Sequence, residues 1–247
     1  MLFDKSLMMA SIKIPNIPEF LMDATFPGMR PKGNEAILFL AHLDVFAEIP
    51  VSEEEHRRAE STSSTTARQA FLAGRRLVRN VLSYWLSVDP LKLAIHLSSE
   101  GRPYLFGDSV PFFSITHSGD LVMVAFSKEK IGADMELERQ LDSVALASRF
   151  FSNQEALLIS NGKNNETFFR LWTCREAAIK ADGRGMGKLL ATTKTNTDDQ
   201  DGGFLNIEIG SDNWSAIHWM MGILEPRYHM ALATKIRPSL IRWCDLR

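Results

Sequence analysis

Hydrophobic positions along the chain fall into two patterns. Short apolar runs predict strands: AILFLAHLDVF (36–46), LKLAIHLSS (91–99), VPFFSIT (110–116), LVMVAFS (121–127), IGADMELE (131–138), FLNIEIG (204–210), WSAIHWMMGILE (214–225) and YHMALATKI (228–236). Longer stretches repeat at helical spacing. STTARQAFLAGRRLVRNVLSYWL (64–86) places Phe71, Leu72, Val78, Leu82 and Trp85 on one stripe, with Ser or Thr as N-cap. SVALASRFFSNQEALLISNG (143–162) is helical with a break near Ser152, and ETFFRLWTCREAAIKADGRG (166–185) is a second strong helix closed by Gly183. The polar stretch PVSEEEHRRAESTSSTT opens helices, and TTKTNTDDQDGG (192–203) reads as a loop. Residues 1–35, with IPNIPEF and FPGMRPKG, read as irregular wrapping. HSGD between two apolar runs predicts a hairpin with His117 in its turn. The order strand, long helix, hairpin, then strand, helices, strands predicts an α+β fold of two comparable halves, 1–130 and 131–247.

Composition narrows the classes. The chain has 247 residues, ample for a buried core, with 45% hydrophobic and 23% charged residues, as in a soluble globular protein. A formal net charge of −2 gives no global field for nucleic acid or an anionic membrane. No apolar run approaches the roughly 20 residues needed to span a bilayer. The first residues lack the long apolar core of a signal peptide. Cys174 and Cys244 form neither a metal spacing nor a disulfide framework, which suits a reduced, cytoplasmic setting.

Candidate chemistry lies in three places. In IGADMELE, Asp134, Glu136 and Glu138 alternate with Ala133, Met135 and Leu137, so neighbouring carboxylates share a strand face, about 7 Å apart. Taken alone, this describes a half-buried strand with a solvated acidic face. The sharper reading is the start of a divalent-cation site, which takes hard oxygen donors. On the second strong helix Phe168, Trp172, Glu176 and Lys180 recur every four residues. Trp172 anchors that face and Glu176 and Lys180 emerge beside it, either as a surface ion pair or as a third acid with a phosphate-binding lysine. Arg68, Arg75, Arg76 and Arg79 form a cationic stripe, either a solvated face or a phosphate clamp. Arg102 in EGRPY sits on a Pro-stiffened turn. GRGMGK (183–188) follows a helix rather than opening one, so it is a helix stop and not a phosphate loop.

GRPYL, FSITHSGD, IGADMELE, RFFSNQE and FFRLWTCREAAIKADGRGM occur in the order and spacing of one family. From about Gly101 to Met186 the chain resembles the Sfp-type 4'-phosphopantetheinyl transferases, and ARQAFLAGRRLVR is similar to their Arg-bearing helix. The resemblance implies two similar α/β subdomains about a pseudo-twofold axis, active as a monomer, with coenzyme A in the cleft between them. It implies transfer of the 4'-phosphopantetheine arm of coenzyme A to a serine of an apo acyl or peptidyl carrier protein, with Mg²⁺ required and adenosine 3',5'-bisphosphate released. Asp134, Glu136 and Glu176 match the metal-binding acids, and Glu176 and Lys180 the catalytic pair, with Glu176 or a water on the metal as base. Arg75, Arg102, Pro103, Thr116, His117, Arg175 and Lys180 match positions on coenzyme A, with His117 and Lys180 at its phosphates. Small neighbours Ser118 and Gly119 would let backbone approach the ligand. The segment 137–158, with Arg139, Arg149, Val144, Leu146, Phe150 and Phe151, is the expected carrier-docking surface. Two other readings use the same residues: a catalytically silent module binding coenzyme A or a carrier, and a Mg²⁺-dependent nucleotide phosphohydrolase.

Overall fold

Strands covered on both faces account for the unbroken apolar runs. The computed structural model describes residues 20–22, 30–44, 46–107, 110–162, 165–190, 192–196, 204–221 and 227–247. Most of the expected N-terminal wrapping, and the loop residues 197–203, lie outside them. One sheet contains β1 (Phe20–Met22), β2 (Glu35–His42), β5 (Phe112–Ser118), β6 (Leu121–Ser127) and β12 (Leu240–Asp245), in the order β1-β12-β2-β6-β5. A second contains β7 (Ile131–Leu137), β8 (Lys194–Asn196), β9 (Phe204–Ile209), β10 (Asp212–Met221) and β11 (Tyr228–Thr234), in the order β7-β11-β10-β9-β8. The short strands β3 (His96–Leu97) and β4 (Pro103–Tyr104) pair by themselves.

Three hydrophobic cores stack these sheets between two helices. Ile37 and Phe39 of β2, with Val122 and Val124 of β6, pack on Leu77, Val78 and Trp85 of α2 (Thr65–Leu86). The alternate residues Leu38, Leu40 and Met123 face Ala133, Met135 and Met230 of the second sheet. That sheet's outer face, with Ile207 and Ala231, packs on Phe169, Cys174 and Ala178 of α5 (Glu166–Asp182). The layers therefore run helix, sheet, sheet, helix.

The helices start where their caps require. Ser64 accepts a hydrogen bond from Ala67 N–H at 3.3 Å and opens α2. The break at Ser152 is a capping box: the Ser152 hydroxyl accepts from Glu155 N–H, and Glu155 accepts from Ser152 N–H. It separates α3 (Ser143–Phe150) from α4 (Asn153–Asn161). Ser52 and Glu55 repeat that box at the start of α1 (Glu53–Glu60). Gly183 ends α5 with φ of 86°, and a short helix, α6 (Met186–Leu189), follows.

Two local expectations change, and one strand was not expected. LKLAIHLSS pairs only over His96–Leu97, because Pro90–Lys92 forms a 3₁₀ turn. The hairpin turns at Gly119 and Asp120, so His117 lies inside β5 opposite Val122. β12 crosses back to run parallel to β2 in the first sheet. Gly132 of β7 sits beneath α5: a Cβ there would come 1.9 Å from Ala177 O and 2.4 Å from Ala181 N. The missing side chain lets the helix lie directly on the acid-bearing strand.

Candidate active site

The two sheets meet where edge strand β5 runs beside edge strand β7. No backbone ladder joins them. Instead, hydroxyls of β5 accept the outward N–H groups of β7: Ser114 from Ala133 at 3.0 Å, Thr116 from Met135 at 3.1 Å, and Ser118 from Leu137 at 2.9 Å. An unpaired buried N–H is costly, so the period-two hydroxyls in SITHS are the partners that the seam demands. Two of them also donate to the acids of β7. Thr116 Oγ1 reaches Asp134 Oδ1 at 3.2 Å, and Ser118 Oγ reaches Glu136 Oε2 at 3.2 Å.

α5 completes the acidic group. Lys180 Nζ donates to Asp134 Oδ1 at 2.5 Å and to Thr116 Oγ1 at 3.4 Å. Asp134 is only 2% exposed, which replaces the expected solvated acidic face with a buried ion pair. Burial and then the charge of Asp134 lift Glu176 to about 8, with Glu136 adding to the lift and Lys180 opposing it. Burial alone would lower Lys180, but the carboxylates of Asp134 and Glu176 outweigh it and hold the ammonium above its ordinary value.

Among the described residues no three metal-ligating side chains form a ready cation cage. Glu136 is drawn instead to Arg139, whose Nη1 lies 2.9 Å from Oε2. The donor chemistry still fits a hard divalent cation. Asp134 Oδ2 is buried without a hydrogen-bond partner, and Glu176 beside it is raised first by burial and then by the charge of Asp134. A hard cation would give that oxygen a partner.

Beside this group a cavity of about 230 Å³ opens between β4–β5 and the end of α5, lined by Arg102, Pro103, Ser114, Ile115 and Lys180, with Gly183 and Gly185. Arg102 spans it, donating to Ala181 O at 2.7 Å and Ile131 O at 3.1 Å. Burial lowers its pKa, against the charge of Asp182. His117, exposed on β5, lies within the field of the same charges. Burial of part of its ring and Lys180 lower its pKa, while Asp134 and Glu136 oppose them. The structure thus brings together Asp134, Glu136, Glu176, Lys180, Thr116, His117, Arg102 and Pro103.

The remaining arginines serve other contacts. Arg75 is buried, with Nε 3.8 Å from Glu55 Oε1 and its guanidinium over Phe71. Burial, against the charge of Glu55, lowers it to about 10. Arg79 is also buried, donating to Glu55 at 2.9 Å and to the carbonyls of Pro90 and Leu93. These two are therefore not part of a solvated stripe. Arg175 lies away from the acidic group: it donates to the carbonyls of Phe150, Leu190 and Thr193 and stands over the Phe151 ring.

Sequence reasoning missed several neighbours. Arg58 stacks over Phe71 and approaches Gly101 at the cavity wall. Tyr228 Oη donates to Asp120 Oδ1 at 2.7 Å and clasps the hairpin tip onto the second sheet. Gly119, with φ of 59°, lies below it: a Cβ there would come 2.6 Å from Tyr228 Oη. That contact and the turn explain the glycine that was expected to admit ligand. His229, fully buried and stacked on Phe169, bridges Glu138 and His218 at 3.2 and 3.1 Å. Its only sequence signal is a histidine inside a buried apolar strand.

Comparison with known proteins points to one class, a transferase family of α+β architecture. The family model of the 4'-phosphopantetheinyl transferase superfamily matches residues 130–233. The chain is 30% identical over 203 residues to the 4'-phosphopantetheinyl transferase Sfp of Bacillus subtilis, covering 76% of this chain and 89% of that protein. It is 35% identical over 147 residues to the 4'-phosphopantetheinyl transferase HetI of Nostoc sp., covering 56% of this chain and 62% of that one. A 4'-phosphopantetheinyl transferase named ffp, also from Bacillus subtilis, is 31% identical over 157 residues, 58% of this chain and 70% of that protein. The chain belongs to the 4'-phosphopantetheinyl transferase superfamily.

Proposed function

We propose that the chain transfers the 4'-phosphopantetheine arm of coenzyme A to a serine of an apo acyl or peptidyl carrier protein. The reading rests on family membership and on one observation: a buried Asp134, with an unpartnered oxygen, set between Lys180 and Glu176 beside the cavity at the end of α5. In this reading the serine Oγ forms a bond to the β-phosphorus, the bond from that phosphorus to the bridging oxygen breaks, and adenosine 3',5'-bisphosphate leaves. Asp134, Glu136 and Glu176 would hold Mg²⁺, which when bound neutralises charge on the pyrophosphate. Lys180, fixed by Asp134 and Thr116, places its ammonium toward the same oxygens. Glu176 takes the serine proton, directly or through a water. His117 and Thr116 line the phosphate end, and Arg102 and Pro103 the adenosine end.

Arg75 and Arg175, whose guanidiniums are engaged within the protein, are given no coenzyme A contact in this reading. The two layered halves are read as related by a pseudo-twofold axis, with the division near residue 130 and the cleft formed within one cytoplasmic chain. The test is chromatographic. Coenzyme A, Mg²⁺, an apo carrier protein and this chain should yield adenosine 3',5'-bisphosphate, and leaving out the carrier or adding a chelator should stop it. Nucleotide release without a carrier would replace transfer by hydrolysis.

A further inference from the structure

The seam between β5 and β7 fixes more than backbone. A serine hydroxyl has one hydrogen, and the lone pair that accepts an N–H limits where that hydrogen can point. Ser118 Oγ accepts Leu137 N–H at 2.9 Å, and its hydrogen goes to Glu136 Oε2 at 3.2 Å. Ser118 is itself held. It precedes the Gly119–Asp120 turn, which Tyr228 fastens to the second sheet through Asp120. The hydroxyl therefore carries a fixed direction from the first half of the molecule to an acid in the second.

A second group competes for that acid. Arg139, with a side chain 58% exposed, donates to the same Oε2 at 2.9 Å and also to Leu137 O at 3.3 Å. Ser118 and Arg139 thus hold the same oxygen, one from the seam and one from the exposed side. Asp134 has no such rival: both of its Oδ1 partners, Thr116 and Lys180, belong to the buried cluster. Of the acids on β7, Glu136 is the one shared between the buried cluster and an exposed arginine.

We propose that Ser118 is a positioning residue. Its hydroxyl keeps the Glu136 carboxylate turned toward Asp134 and Glu176, against the pull of Arg139, so that Glu136 can serve a divalent cation. This rests on the metal reading proposed above. Both contacts fall on Oε2, so Oε1 is the oxygen left for a ligand. Ser118→Ala removes the hydrogen bond to Glu136 and leaves Leu137 N–H without its acceptor.

The test measures cation binding directly. Mn²⁺ is titrated into the full chain with coenzyme A present, and the free-ion paramagnetic resonance signal reports uptake. Ser118→Ala should weaken Mn²⁺ binding about tenfold or more, the scale of one hydrogen bond to a charged group. Ser118→Thr should stay within about twofold of the wild type. Adding Arg139→Gln to Ser118→Ala should recover part of the loss, which a purely structural role for the serine would not give. Equal binding by wild type and Ser118→Ala, or Ser118→Thr as weak as Ser118→Ala, overturns the proposal and leaves the metal reading standing. No uptake by the wild type overturns both. If Ser118→Ala fails to fold, Arg139→Gln alone decides: tighter Mn²⁺ binding supports the contest, and unchanged binding overturns it.

Discussion

Asp134 is buried against Lys180 and Thr116, so its replacements separate two effects. Asp134→Ala leaves the Lys180 ammonium without its carboxylate and should lower stability by about 2–4 kcal/mol, read from chemical denaturation, while abolishing transfer. Asp134→Asn keeps the volume and an acceptor for Thr116; it should lose activity about a hundredfold or more at a smaller stability cost. Activity near wild type in Asp134→Asn would remove this residue from the chemistry. The spacing of Asp134, Glu136, Glu176 and Lys180 was legible from strand and helix periods. The burial of Asp134 was not, because the hydroxyl of Thr116 that covers it lies on another strand and looks like an ordinary small polar residue. His218 was also silent in the sequence. Burial, then His229 and Arg170, lower it to about 3. Its folded pKa is below its unfolded value of 6.5, so the unfolded state binds the extra proton. Stability should be full above about pH 6.5 and should decline as pH falls from there toward 3. His218→Gln should flatten that part of the stability profile. An unchanged acid slope would show that other groups carry it.

At the scale of elements, α5 on β7 is the joint that sets the site. Gly132→Ala drives a Cβ into backbone atoms of Ala177 and Ala181, so the helix must move and carry Glu176 and Lys180 with it. We expect a loss of about 2–3 kcal/mol together with a fall in kcat, whereas Gly187→Ala, which meets nothing within 4 Å, should change neither. Equal effects from the two changes would contradict the close-packing account. The docking surface is read from α3 and α4. Val144, Leu157 and Leu158 are exposed there and Arg149 stands over Phe150, while Phe151 is buried in the core. Arg149→Glu should raise the KM for apo carrier several-fold and leave coenzyme A binding alone. Arg139 is not a clean probe of that surface, since it engages Glu136. Most elements were legible from hydrophobic period and caps, including the break at Ser152. β12 was not, since LIRWCD is short, partly polar and pairs with β2, some two hundred residues earlier.

In the whole molecule, function depends on two sheets held in one register. Hydroxyl-to-amide bonds, the Tyr228–Asp120 clasp and the shared core around Leu40, Met123 and Met230 fix that register. Arg102 adds a bridge from the first half to the end of α5 and the start of β7. The order of strands and helices could be read from the sequence, but β12 returns to the first sheet across the expected division at residue 130, and the seam left no periodic trace because it pairs side chains with distant backbone. The central claim is group transfer at this seam. Its most direct test is the intact mass of an apo carrier protein after incubation with the chain, coenzyme A and Mg²⁺. The account predicts a gain of one phosphopantetheine arm on the carrier's serine, absent with Lys180→Ala. An unmodified carrier with the wild-type chain, or full modification by Lys180→Ala, would contradict it.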